Sequence, residues 1–107
     1  MKLTDFKALI SSFRSDVNNA LEQATDEQQR EKLQGLKTQF EDKAWSIVTE
    51  LGLQASFNRE AGSDVLDLLL DRDELVTTAY NNKNTDDAQN YIGELQHIHE
   101  ELQNQLK

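Results

Sequence analysis

Apolar side chains recur along the chain at spacings of three and four, the period of an α-helix buried on one side. Leu3, Phe6, Leu9, Ile10, Phe13, Val17, Ala20 and Leu21 fall within one arc and predict a first helix over about 4–23, with Thr4 as its cap. Thr25-Asp26-Glu27-Gln28 has the form of a capping box, in which the Thr hydroxyl takes the amide three residues on. A second helix is expected from there to about 51, with a stripe of Leu33, Leu36, Phe40, Ala44, Ile47, Val48 and Leu51 and a left-handed stop at Gly52. Residues 26–32 are wholly polar, so the start of this helix is expected to project beyond the core.

Residues 53–62 lack a clear period and read as a connector, with room for one helical turn around Phe57 and a cap at Ser63 after Gly62. A third helix is expected over about 64–80, followed by a turn in Asn81-Asn82-Lys83-Asn84, because Asn tolerates the left-handed region. Thr85 as cap, with Asp86 and Asp87 in the first turn, predicts a last helix over about 86–106 carrying Ala88, Tyr91, Ile92, Leu95, Ile98, Leu102 and Leu106.

Four one-sided helices pair most simply as two antiparallel hairpins, so the expected fold is all-α: a single domain, an up-down-up-down four-helix bundle. In that register Leu21 meets Leu33, Phe13 meets Phe40 or Ala44, Tyr80 meets Tyr91 and Leu66 meets Leu106. The competing architecture is a dimer of long hairpins in which the connector is helical. Gly35 and Gly93 fall inside expected helices, where each costs about 1 kcal/mol against Ala, and a close helix crossing is the expected reason for them.

Composition sharpens this picture. The 107 residues include no Pro, no Cys and only four Gly, which favours long helices and excludes disulfides, thiolate metal sites and cysteine nucleophiles. No apolar run is long enough to span a membrane and no basic-then-apolar leader stands at Met1, so a soluble, cytoplasmic chain without membrane association is expected. The net charge is −9, of which −7 lies in residues 54–107. That sign argues against direct binding of DNA or RNA.

Catalytic patterns are missing: there is no Gly-rich phosphate loop, no Gly-x-Ser-x-Gly elbow and no His-Glu-x-x-His. With two His and no Cys, and no carboxylate pair singled out, an enzyme is not expected, nor is a cofactor. Glu94 and His97 have the Glu-x-x-His spacing of bundle metal sites, but helical geometry turns them, with Glu101, toward solvent. His99 falls instead within the apolar stripe, where a histidine satisfied by a hydrogen bond is the simpler reading than a ligand or pH switch.

Two features point to a partner. Asp64, Asp67, Asp71 and Glu74 recur at three and four on the third helix, a strip that reads either as a solvated face or as a docking site for a basic protein surface. The apolar arc of the same helix exceeds roughly 200°, wider than one seam needs. Leu66 and Leu70 are therefore either buried from two sides or available to a partner, including a second copy of the chain. Arg72 falls in that arc and is expected to snorkel outward or pair with an acid.

Trp45 lies among Gln34, Thr38, Glu41 and Thr49, off the apolar stripe, and is either an exposed anchor or covered by Leu53 and Phe57 folding back. The expected function is an acidic, non-enzymatic protein-interaction module of inhibitor, immunity or adaptor type, with nucleic-acid mimicry as one variant. A bundle binding a metal or small ligand through His97, His99 and Glu94 is the alternative.

Overall fold

The computed structural model describes residues 2–57, 64–83 and 85–106, and among these every regular element is a helix. They are α1 (Leu3–Gln23), α2 (Glu27–Glu50), α3 (Gln54–Phe57), α4 (Val65–Asp71), α5 (Asp73–Asn82) and α6 (Asp86–Gln105). The expected cap at Ser63, the preceding Gly62 and Asn84 of the turn cluster lie outside the described residues.

Helices α1, α2 and α6 follow the expected stripes. Phe6, Ile10, Phe13, Val17 and Ala20 are buried on α1, Leu33 to Val48 on α2, and Ala88, Ile92, Leu95, Ile98 and Leu102 on α6. Local signals set their ends. Gly52 adopts φ +73°, the left-handed stop that a side chain would strain. The Thr85 hydroxyl accepts from the Ala88 amide at 3.1 Å and starts α6.

The expected capping box at Thr25 is not the one used: Asp26 caps α2, its carboxylate accepting from the Gln28 amide at 3.0 Å. An Asp one position later does the same work and adds a negative charge at the helix start. Nor does Thr4 cap α1; Lys2 holds that position without a side-chain bond. The polar start of α2 is exposed as expected, and Arg30 in it turns back to donate to the Leu21 carbonyl at 3.0 Å. That contact satisfies a carbonyl of the last turn of α1, which carries no basic residue of its own.

The third expected helix is two. It breaks at Arg72 (φ −90°, ψ 55°), which ends α4 and begins α5. The over-wide apolar arc belongs to α4, which packs against both α1 and α2. Val65, Leu66, Leu68 and Leu69 are buried on α4 and Val76 and Tyr80 on α5, while Leu75, in the first turn of α5, is exposed. The turn also comes later than expected, since α5 takes in Asn81 and Asn82.

Side-chain pairs give the sense of each arm. Phe13 stacks on Phe40 and Arg30 reaches Leu21, so α1 and α2 are antiparallel. Lys43 pairs with Glu94 at 3.0 Å, while Gln29 and Lys32 lie near Gln105, so α2 and α6, the most closely packed helices, are antiparallel too. Along α1, Arg14 meets Asp67, Lys7 meets Asp73, and Phe6 stacks on Tyr80. The α4–α5 arm therefore runs antiparallel to α1 and in the same sense as α2.

This corrects the up-down-up-down expectation. The chain does not turn straight from α2 into a second hairpin. Leu53 and Phe57 are buried, Phe57 sits against Trp45, and α4 begins beside Glu41, part-way back along α2. Burying two large apolar side chains, each about 1.5–3 kcal/mol, outweighs a shorter connection. The expected partners in the second half shift accordingly. Tyr80 stacks on Phe6, its hydroxyl accepting from Gln89 at 3.1 Å, while Tyr91 lies under Lys43. Leu106, expected against Leu66, is 42% exposed beside Ala20 and Ala24.

The helical glycines are corrected as well. A Cβ at Gly35 or Gly93 would meet no atom within 4 Å, so neither marks a close crossing.

Candidate functional site

The acidic strip changes character when built into this fold. The break at Arg72 turns the four carboxylates out of one line, and each has a different environment. Asp64 caps α4, accepting from the Leu66 amide at 2.9 Å, and stands beside Glu41 of α2. Asp67 is bound to the Arg14 guanidinium of α1. Asp71 and Glu74 remain exposed, one on each side of the break.

Asp71, Arg72, Asp73, Glu74 and Leu75 together line a shallow depression of about 350 Å³ at the α4–α5 elbow. Asp73 and Leu75 are the residues that spacing alone missed. Asp73 falls between the members of the three-and-four series, and Leu75 is one leucine among several on the expected third helix. Asp73 pairs with Lys7, whose ammonium also donates to Thr77 Oγ1 at 3.3 Å, so the start of α5 is pinned to α1. Leu75 is 42% exposed, and with Leu106 it forms the short list of large apolar side chains left open to solvent among the described residues. Chemically the elbow offers carboxylates around one leucine, a complement for a basic side chain next to an apolar one.

The remaining candidates are drawn into the molecule. Leu66 is fully buried between α1 and α2, and Leu70 is partly buried against the same core. Trp45 is half-buried and meets Phe57 edge-to-face at 6.4 Å. These residues and the elbow do not form one surface. Arg72 itself is exposed.

Glu41 is a carboxyl with a displaced titration. Burial, reinforced by the charge of Asp64 and a hydrogen bond with it, pushes Glu41 up to about 6 from 4.5. Lys37 works in the opposite direction and Asp42 adds to the rise.

The two histidines sit as helical geometry predicts. His97 is 73% exposed and faces Glu100 and Glu101 at 4.0 and 3.7 Å rather than Glu94, which is held by Lys43. His99 is 21% exposed and lies between α1 and α6, its Nε2 3.3 Å from Asp16 Oδ2. Gln103 donates to the same carboxylate oxygen at 2.6 Å and its amide nitrogen is 3.2 Å from the imidazole Nε2. The Phe13 ring edge completes this environment. Among the described residues no group of three or more His, Asp or Glu is arranged to hold a metal ion, and no helix is long and apolar enough to cross a membrane.

Beyond the elbow, the α2–α6 seam carries a shallow groove lined by Gln39, Lys43, Asn90, Gly93, Glu94, His97 and Ile98. Its cation and carboxylate already neutralise each other. Comparison with known proteins finds no family model, no curated protein and no solved structure that matches this chain.

Proposed function

We propose that the chain is a non-catalytic, acidic protein-interaction module, of inhibitor, immunity or adaptor type, that docks through the α4–α5 elbow on a basic surface of a partner protein. The observation that carries this reading is the placement of the exposed Asp71 and Glu74 beside the exposed Leu75 at a break in the helix, in a depression also lined by Arg72 and the Lys7-bound Asp73. The net charge of −9 supports it by favouring long-range attraction of a basic partner over self-association. Relative to the four-acid strip, the site narrows: Asp71 and Glu74 stay in it, Leu75 joins it, and Asp64, Asp67 and Asp73 act within the fold.

The elbow is fit for docking because it is held from both sides. Lys7 grips Asp73 and Arg14 grips Asp67, so the exposed acids project from a pinned segment and little ordering entropy is lost on binding. Its contribution is mainly to association rate and specificity, and it weakens with salt because exposed charges are screened over about 8 Å at physiological ionic strength.

The test is affinity capture from native lysate with the wild type and with the Asp71→Asn/Glu74→Gln/Leu75→Ala variant, at low and high salt. A basic protein held by the wild type at low salt, released at high salt and lost with the variant is the expected result. The same proteins captured equally by the variant would remove the elbow from the interaction.

A further inference from the structure

We propose that Asp16 of α1 and His99 and Gln103 of α6 form a binding site for one divalent transition-metal ion of the zinc type, which ties the first long helix of the chain to the last. The inference is independent of the docking reading above.

Three polar atoms meet there. His99 Nε2 lies 3.3 Å from Asp16 Oδ2, the Gln103 amide nitrogen lies 2.6 Å from the same oxygen, and the two nitrogens are 3.2 Å apart. A triangle of mutual contacts cannot be satisfied by hydrogen bonds alone, because donors and acceptors cannot alternate around three corners. With a proton on Nε2, His99 donates to Asp16 but faces the Gln103 N–H; without it, His99 accepts from Gln103 but turns its lone pair on the carboxylate. A half-turn of the Gln103 amide only moves the mismatch, since its carbonyl oxygen then faces Asp16 Oδ2. A cation removes the mismatch: with the amide oxygen turned inward, all three atoms offer it a lone pair.

The spacing fits such an ion. The circle through three points 2.6, 3.2 and 3.3 Å apart has a radius of about 1.8 Å, just inside a zinc–nitrogen or zinc–oxygen bond of about 2.0–2.2 Å, so an ion about 1 Å above their plane reaches all three. An imidazole nitrogen in the set favours zinc, copper or nickel over magnesium and calcium, which take oxygen ligands.

The fold holds the donors in place. His99 and Gln103 stand one turn apart on the same face of α6, and Asp16 reaches them across the seam from α1. Phe13, one turn before Asp16, meets the His99 ring edge-on at 6.2 Å and fixes its orientation. The side chains of His99 and Asp16 are 21% and 35% exposed, which leaves the outer coordination positions to water. Arg14, the cation nearest to Asp16 in sequence, is taken by Asp67 and does not neutralise it.

The experiment is calorimetric titration of the metal-free full chain with zinc chloride at pH 7.5, with the imidazole nitrogen shifts followed by NMR, in the wild type, Asp16→Asn, His99→Gln, Gln103→Glu and His97→Gln. The wild type is expected to take up one equivalent, with the His99 Nε2 resonance moving and magnesium failing to compete. Asp16→Asn and His99→Gln are expected to weaken binding by roughly tenfold or more. Gln103→Glu is expected to tighten it several-fold, because a carboxylate replaces the amide oxygen, and His97→Gln to leave it unchanged. The wild-type shifts and the tightening variant keep the test decisive where a weakening variant fails to fold. No saturable uptake by the wild type, an unmoved His99 resonance, binding that Gln103→Glu leaves unchanged, or binding kept in Asp16→Asn and lost in His97→Gln would overturn the site.

Discussion

Phe13 of α1 and Phe40 of α2 lie face to face, ring centroids 3.8 Å apart and planes within 4°, and both are fully buried. The pair closes the first hairpin at mid-height, and His99 approaches the same ring from α6 at 6.2 Å. Three of the four arms therefore converge on Phe13. Replacing it with Ala should cost about 3–5 kcal/mol, the range for a buried aromatic removed from a packed core. Urea unfolding measures it, and a cost below 1 kcal/mol would mean that the three arms do not meet there.

The start of α2 separates two caps that sequence alone cannot rank. Asp26→Ala should cost about 1 kcal/mol, because it frees the Gln28 amide, whereas Thr25→Ala should stay within about 0.5 kcal/mol. Thermal unfolding of the two variants side by side decides it. The reverse order would restore the capping box at Thr25.

The three described glycines should respond in opposite directions. Gly35→Ala and Gly93→Ala add a methyl group where no atom lies within 4 Å, so each should stabilise by up to about 1 kcal/mol. Gly52→Ala forces a side chain to φ +73° and should destabilise by about 1–2 kcal/mol. Stabilisation at position 52 would show that α2 does not end in this conformation.

Much of the fold was legible because α1, α2 and α6 each bury a single stripe, which periodicity reads directly. Phe13 opposite Phe40, Gly52 as a stop and Thr85 as a cap all follow from local rules. The break at Arg72 does not, for neither Gly nor Pro marks it, and the segments on either side are held to α1 by the Arg14–Asp67 and Lys7–Asp73 pairs. One signal was nonetheless present, the acidic pair Asp73-Glu74, which suits the first turn of a new helix. The direction of the α4–α5 arm was not legible. It depends on Phe57 packing on Trp45 in preference to a short turn, a balance between two long-range alternatives.

That packing is directly visible to fluorescence. Phe57→Ala removes the ring that meets Trp45 edge-to-face, so the emission of this single tryptophan should move to longer wavelength and the protein should lose about 3–5 kcal/mol. An unchanged emission maximum would place the connector away from Trp45.

The pH dependence of stability carries a definite sign. Glu41 is raised in the folded protein from 4.5 to about 6, so its stabilising contribution is complete below pH 4.5 and is lost as pH rises through 6. Wild type and Glu41→Gln should therefore diverge over that interval, the variant gaining relative stability toward neutral pH. Parallel curves from pH 4 to 7.5 would deny the coupling. His97→Ala, by contrast, changes an exposed residue and should move stability by less than about 0.5 kcal/mol.

The central claim is that docking is localised at the elbow and not spread over a generally acidic surface. The most direct measurement is a titration of the isotope-labelled protein, followed by amide chemical shifts, with a short peptide of alternating lysine and leucine at low and high salt. Shifts concentrated at Asp71–Leu75, abolished by high salt and by Asp71→Asn/Glu74→Gln/Leu75→Ala, are the predicted result. Shifts distributed along the exposed acids of α6, such as Asp86, Asp87 and Glu100, with the elbow unmoved, would contradict it.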